Sequence, residues 1–247
     1  MNLILLDREE LAPDGTARLT GRRATHVREV LRATTGSMLQ VGVVAGRLGT
    51  GEVLATRDGE VLMRVALVRE PPPRSPVDLL LALPRPKILR KVLQAAASMG
   101  VRCIVLLGSY RVERSYFASP LLAPEPLAES LRLGLEQGRD TVPPEVVIRR
   151  FFKPFVEDEL EATFPAARRL LAEPSATGPL ERLQPGDGRA VVAIGPEGGW
   201  TRYEAEELVR RGFDPFALGP RVLRVDVAVP FVLGQVELWL RRTRACC

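Results

Sequence analysis

Apolar residues fall into two different rhythms along this chain. In the first part they form short or alternating runs. Arg18–Thr20, Met38–Val44, Gly51–Thr56 and Val61–Val68 follow the two-residue period of half-buried strands. Asp14-Gly15, Gly46, Gly49 and Asp58-Gly59 separate them, and glycine-bearing turns of this kind close hairpins. Between the first two runs His26, Val27, Val30 and Leu31 stand at helical spacing, which predicts a helix over Arg22–Arg32. The pattern predicts a small β-barrel with one or two helices.

Glu70-Pro71-Pro72-Pro73-Arg74-Ser75-Pro76 cannot continue a helix or a central strand. Beyond it the rhythm alternates. Val77–Leu83, Val101–Leu107, Val146–Arg149, Arg168–Ala172, Ala190–Gly195 and Pro215–Leu218 read as strands. Lys87–Met99, Pro126–Gln137, Val156–Phe164, Thr201–Arg211 and Val229–Arg241 read as helices, the first ending at Gly100. This α/β order predicts a mainly parallel sheet covered on both faces. The expected organisation is a β-barrel domain at 1–70, a proline-rich linker at 71–76 and an α/β domain at 77–247.

Composition removes several function classes. No apolar run reaches the roughly 18 residues of a membrane helix. The opening Met1-Asn2-Leu3-Ile4-Leu5-Leu6-Asp7 does not read as a secretory leader, so a cytoplasmic protein without a membrane partner is expected. Cys103, inside an apolar run, reads as a buried small hydrophobe, and Cys246 and Cys247 are adjacent, a spacing that rarely forms a disulfide. With His26 the single histidine, no metal-ligand cluster is expected. The net charge of +5 is compatible with a nucleic-acid partner without establishing one.

Candidate chemistry concentrates in two glycine-bearing loops. Ile194-Gly195-Pro196-Glu197-Gly198-Gly199-Trp200 leaves one apolar run, and Thr201 with Glu204 then gives a capping-box start to the next helix. Leu218-Gly219-Pro220-Arg221-Val222-Leu223-Arg224 leaves another. In open α/β sheets, ligands bind beyond the carboxyl ends of strands, where glycine lets backbone come close. Either loop alone could be only a tight turn. Neither carries the nucleotide-cradling G-x-x-x-x-G-K-[ST] or G-x-G-x-x-G, so a nucleoside triphosphate or dinucleotide is not expected.

Arg224 and Asp226 could orient a base or stabilise charge at the loop exit, or form an ordinary ion pair. Lys87, Arg90 and Lys91 share one side of a predicted helix, and Arg22, Arg23, His26, Arg28 and Arg32 form a denser cluster that could meet phosphates. Glu136-Gln137-Gly138-Arg139 closes a helix. No serine-nucleophile motif accompanies the lone histidine.

Together these residues resemble the RsmE family, ribosomal RNA uridine-N3 methyltransferases of the SPOUT class. Ala24-Thr25-His26-Val27-Arg28-Glu29-Val30-Leu31-Arg32, Leu83-Pro84 with Lys87, and Glu136-Gln137-Gly138-Arg139 with Pro143 are similar to family segments. The two glycine loops, in this order and spacing, match its signatures most closely. The resemblance implies a PUA-like β-barrel joined to an α/β domain with a C-terminal trefoil knot, a feature that sequence rules alone would not suggest.

It implies S-adenosyl-L-methionine as methyl donor, with no metal. Gly195, Gly198, Gly199, Leu218, Gly219 and Leu223 would line its site, joined by Leu171, Ala172, Ile194, Arg224 and Val225. Arg224, Asp226 and Glu197 are the catalytic candidates, and Arg22, Arg23, His26, Arg32, Lys87 and Arg90 the RNA contacts. The implied partners are 16S ribosomal RNA or the small ribosomal subunit and a second copy of the chain, paired through the helix around Val229–Leu240.

The chain departs from the family pattern in two places. Leu223-Arg224-Val225-Asp226-Val227-Ala228 stands where Leu-Arg-Thr-Glu-Thr-Ala is common, and Ala96-Ala97-Ser98-Met99-Gly100 where Ala-Thr-Glu-Leu-Gly is. The alternatives are a SPOUT methyltransferase acting on another RNA or atom, and a non-catalytic RNA-binding assembly factor.

Overall fold

The computed structural model describes residues 3–57, 59–184 and 188–244. Asp58 of the expected Asp58-Gly59 turn, and Cys246 and Cys247, lie outside the described residues. The chain divides into two compact units, Met1–Pro73 with Leu131–Pro143, and Arg74–Ser130 with Pro144–Cys247.

The first unit is built on β1 (Ile4–Leu6), β2 (Thr16–Leu19), α1 (Gly21–Thr25), β3 (Met38–Val43), β4 (Leu48–Arg57) and β5 (Glu60–Arg69). A π-helical turn, His26–Val30, prolongs α1. The strands form one sheet in the order β1-β3-β4-β5-β2, with only β1 and β3 parallel. Alternation drives the curl: Leu6, Leu19, Val27, Val41, Val53, Val61 and Met63 point into one apolar core. The strand β1 has no counterpart in the sequence reading. Its three residues are too few to show a period.

Residues 131–143 belong to this unit, a membership that a boundary drawn at the prolines does not foresee. The reason is a set of polar ties. Arg22 donates to buried Glu136, Arg132 pairs with Asp7, and the Thr141 hydroxyl donates to the Gly46 carbonyl at 2.5 Å.

The second unit carries β6 (Val77–Ala82), α2 (Pro86–Ser98), β7 (Cys103–Leu107), α3 (Pro124–Gly138, whose last turns count with the first unit), β8 (Glu145–Arg149), α4 (Phe152–Pro154), α5 (Leu160–Thr163), β9 (Arg168–Ala172), β10 (Ala190–Ile194), α6 (Arg202–Arg210), β11 (Asp214–Phe216) and α7 (Val225–Arg244). The sheet order is β11-β9-β10-β6-β7-β8, and every pairing is parallel. Strands β6, β7 and β10 are buried along their whole length, as near-continuous apolar runs between two helical layers must be.

One acid interrupts that pattern. Asp78 is fully buried in β6, accepts from the Cys103 backbone N–H at 3.1 Å, and pairs with Arg102 at 3.1 Å and with Arg189. Three donors offset the desolvation of this carboxylate and tie β6 to the start of β7. The one-residue break in an apolar run is the signal for it.

Helix α7 begins at Val225, four residues before the expected start at Val229. Pro230 suggests a helix beginning just ahead of it, because proline suits a first turn. Instead the Arg224 carbonyl accepts from the Val227 N–H at 2.9 Å and the Ala228 N–H at 2.8 Å, closing a turn before the proline. Asp226 therefore lies in the first turn of a helix rather than on a loop, a position that favours an acidic side chain.

Candidate functional site

The strand ends set the site. Ala172 of β9 is in register with Ile194 of β10 and with Phe216 of β11, so three parallel strands stop at one level. Their exits enclose a cavity of about 240 Å³, walled by Ala172, Glu173 and Pro174 on one side, by the 194–200 loop on another and by the 218–225 loop on a third. That volume lies just under the span of about 300–1,000 Å³ usual for small-molecule sites.

The glycines act in different ways. A Cβ on Gly195 would stand 3.1 Å from the Trp200 N and 3.2 Å from its Cδ1, so glycine here lets the loop fold against its own tryptophan. Gly219 has a φ of +129° and open space around it; backbone conformation, not crowding, requires it.

The sequence candidates Ala172, Ile194, Gly195, Gly199, Leu218, Gly219, Leu223, Arg224 and Val225 line this cavity, as does Glu197. Three others do not. Leu171 lines a separate concavity with Ala205 and Val209, because successive residues of a strand face opposite sides of the sheet. Gly198 faces Arg111: its added Cβ would be 3.1 Å from the Arg111 Cδ, and the Arg111 guanidinium donates to its carbonyl. Asp226 stands behind the wall, with its side chain 7 % exposed, and holds Arg224 at 3.4 Å and Lys91 at 3.5 Å.

Trp200, absent from the sequence candidates, is a further wall residue. It is 6 % exposed, and its indole N–H is buried without a hydrogen-bond partner. A buried unsatisfied donor at a cavity wall is a group that a ligand acceptor would complete. The glycine cradle, the apolar lining of Ala172, Ile194, Leu218, Leu223 and Val225, and this donor fit a nucleoside-bearing ligand such as S-adenosylmethionine.

The basic candidates separate into free and engaged side chains. Lys87, Arg90, Arg28 and Arg32 are exposed. Arg22 reaches buried Glu136 at 3.1 Å. Arg23 is not a surface cation: its side chain is 15 % exposed and donates to Glu10 and to the Leu5 carbonyl. The first unit uses its charge internally. His26 has a buried Nε2 without a partner, and burial, followed by nearby positive charge including Arg22, lowers its pKa, so it is neutral near pH 7.

Residues 70–237 match the family model of an RNA methyltransferase domain, which sets the class of the protein. Ribosomal RNA small subunit methyltransferase E of Treponema pallidum is 30 % identical over 253 residues, covering 98 % of this chain and 94 % of its own length. Its counterpart in Synechocystis is 26 % identical over 233 residues, covering 92 % and 74 %. This chain belongs to the ribosomal RNA small subunit methyltransferase E family.

Two solved structures share the fold. Ribosomal RNA small subunit methyltransferase E of Neisseria gonorrhoeae, bound to S-adenosylmethionine, superposes with a TM-score of 0.75 at 20 % identity, covering 96 % of this chain and 97 % of that one. A Legionella pneumophila protein in complex with S-adenosylmethionine gives 0.75 at 24 % identity with the same coverage. The fold is that of both structures, with the expected curled-sheet unit and parallel α/β unit. Among the described residues no cluster of three or more His, Cys, Asp or Glu is placed to hold a metal, and no helix is long and apolar enough to cross a membrane.

Proposed function

We propose that this chain methylates N3 of a uridine in 16S ribosomal RNA, with S-adenosylmethionine held in the cavity at the β9, β10 and β11 exits. The observation that carries this reading is the cavity itself, with two glycine loops and an unsatisfied indole N–H around one apolar space. The names of the relatives and the cofactor bound in the Neisseria structure support it. S-adenosylmethionine bound there would supply a methyl group on an electrophilic sulfonium. The protein must align N3 with that methyl and favour loss of the N3 proton.

Arg224, on the cavity wall, is the group proposed to stabilise the uracil anion, and Asp226 positions Arg224 from behind. Glu197 orients the base from the opposite loop, its Oε1 accepting the Arg85 backbone N–H at 3.3 Å. Arg22, Arg32, Lys87 and Arg90 meet RNA phosphates, and neutral His26 offers a ring to a base. The target uridine must be unpaired, because N3 is otherwise a Watson–Crick donor.

The proposed assembly is a homodimer acting in the cytoplasm. Val227, Phe231 and Leu238 fall on one face of α7 and remain 45 %, 44 % and 52 % exposed, a face that a second copy would cover. Sedimentation of a Phe231→Glu variant tests this: a monomer is expected, and an unchanged dimer removes α7 from the interface.

Incubating 16S ribosomal RNA with protein and cofactor and mapping the modified nucleotide tests the activity. Methylation at another atom or in another RNA is the alternative outcome, motivated by the Val225-Asp226-Val227 departure from the family pattern.

A further inference from the structure

A second and larger cavity, about 1010 Å³, opens beside the first. Its floor is the exit of two other neighbouring strands. Leu107 of β7 is in register with Arg149 of β8, and the chain beyond them supplies Gly108, Ser109 and Tyr110, then Arg150, Phe151 and Phe152. Gly108 permits this close exit, since a Cβ there would lie 2.0 Å from the Arg150 carbonyl oxygen. The two cavities meet at an aromatic pair: Phe152 lines the second, Trp200 lines the first, and their rings are 5.9 Å apart.

The lining is unlike a folded core and unlike an ordinary solvated surface. Tyr110, Phe151 and Tyr203 are 86 %, 71 % and 50 % exposed, so three large rings face solvent around one concavity. Such rings cost free energy in water unless something stacks on them. Arg114, Arg150 and Lys153 stand among them, with the Arg150 guanidinium 6.0 Å from the Phe117 ring centre. The acid in the wall, Glu204, is buried and already accepts from the Tyr110 N–H at 2.8 Å, the Thr201 N–H at 2.9 Å and the Thr201 hydroxyl at 2.8 Å. Those three donors stabilise its charge; Lys153 lies 3.8 Å from Glu157, and Arg114 and Arg150 stand among the rings. The Ser109 hydroxyl is buried there without a partner.

Rings with cations between them suit a ligand that has flat π faces and a phosphate backbone. We propose that this cavity receives an unpaired RNA nucleotide next to the methylated uridine. Tyr110, Phe151 and Tyr203 form the stacking platform, and Arg114 and Lys153 meet the phosphate. A splayed target loses stacking with its neighbours, and a protein platform replaces it. The proposal rests on the RNA-methyltransferase reading and adds the subsite that holds the flanking base.

The test uses the full chain and 16S ribosomal RNA. A Tyr110→Ala/Phe151→Ala variant is expected to bind RNA about ten-fold more weakly, the loss of roughly one stacked base. Its S-adenosylmethionine affinity by calorimetry should equal that of the unaltered protein, which also certifies folding. Arg114→Glu is expected to lower the salt dependence of RNA binding by about one phosphate contact.

If the unaltered protein methylates RNA and the double variant binds it equally well, the stacking subsite falls and the activity stands. If the unaltered protein neither binds nor methylates RNA, the activity falls and the subsite with it. Variants that keep naked-RNA affinity but lose assembled subunits would place a ribosomal protein in the cavity and overturn the proposal.

Discussion

Asp226 presents its Oδ2 to the Arg224 guanidinium at 3.4 Å, and the acid is the buried member, 7 % exposed against 76 %. The Lys91 ammonium lies 3.5 Å from the same oxygen, while Oδ1 is buried without a partner. Asp226 thus pairs with Arg224 from the first turn of α7 and does not itself line the cavity. Pairs with one exposed partner are worth about 0–1 kcal/mol. Asp226→Asn is expected to lower kcat about three- to five-fold, with unchanged cofactor affinity and recovery in Asp226→Glu. A loss of cofactor affinity equal to the loss in kcat would mean the acid shapes the pocket instead.

Gly219 should be sensitive for conformational reasons alone. At φ +129° an alanine is strained although nothing blocks its Cβ. Such strain costs about 1–3 kcal/mol, and this exposed loop can relieve it by moving. Gly219→Ala is expected to weaken S-adenosylmethionine binding about ten-fold with little change in Tm. Unchanged calorimetric affinity would separate this loop from the cofactor.

Arg23 and Arg32 should diverge although both stand in the same basic segment. Arg23→Ala removes the partner of Glu10 and a donor to the Leu5 carbonyl, a loss of about 2–3 kcal/mol in the first unit. Arg32→Ala, at an exposed position, should leave Tm alone and reduce the salt slope of RNA binding by about one. Equal effects of the two on Tm would contradict the division between internal and surface cations.

Much of the α/β unit was legible because its signals are local. Arg168–Ala172 reads as a strand on apolar content and occupies those same residues in the sheet. Thr201 and Glu204 read as a capping box, and each caps the other. What escaped depends on distant residues. The register of Ala172 with Ile194 and Phe216 makes the cavity, yet no one segment encodes it. Trp200 follows two glycines and reads as loop until its burial is seen. Gly198 and Gly195 look alike in sequence, and only their neighbours, Arg111 and Trp200, separate them. The second cavity needed β7 and β8 side by side, with Tyr110 and Phe151 brought together from far apart in the chain.

Cys103 gives a pH-dependent prediction. Burial, ahead of the nearby Asp78 and Glu145 charges, pushes its thiol from 9.0 up to about 11. The folded state thus holds this proton more tightly than the unfolded chain. Its stabilising contribution is complete below pH 9 and is lost as pH rises toward 11. With Cys246 and Cys247 replaced by serine, the native protein should show no thiol reactive to a disulfide reagent at pH 8, and full reactivity in denaturant. Rapid native labelling would refute the burial of Cys103.

The proposed reaction is methyl transfer to N3 of a uridine in 16S ribosomal RNA from a cofactor held at the β9, β10 and β11 exits. The most direct measurement is nucleoside mass spectrometry of 16S ribosomal RNA after incubation with the protein and S-adenosylmethionine, with reverse-transcription stops to place the modification. The expected product is 3-methyluridine at a single position, formed at about one-tenth the level when Gly219→Ala protein is used at limiting cofactor. A methyl group on another atom or another RNA, or none at all, would contradict it.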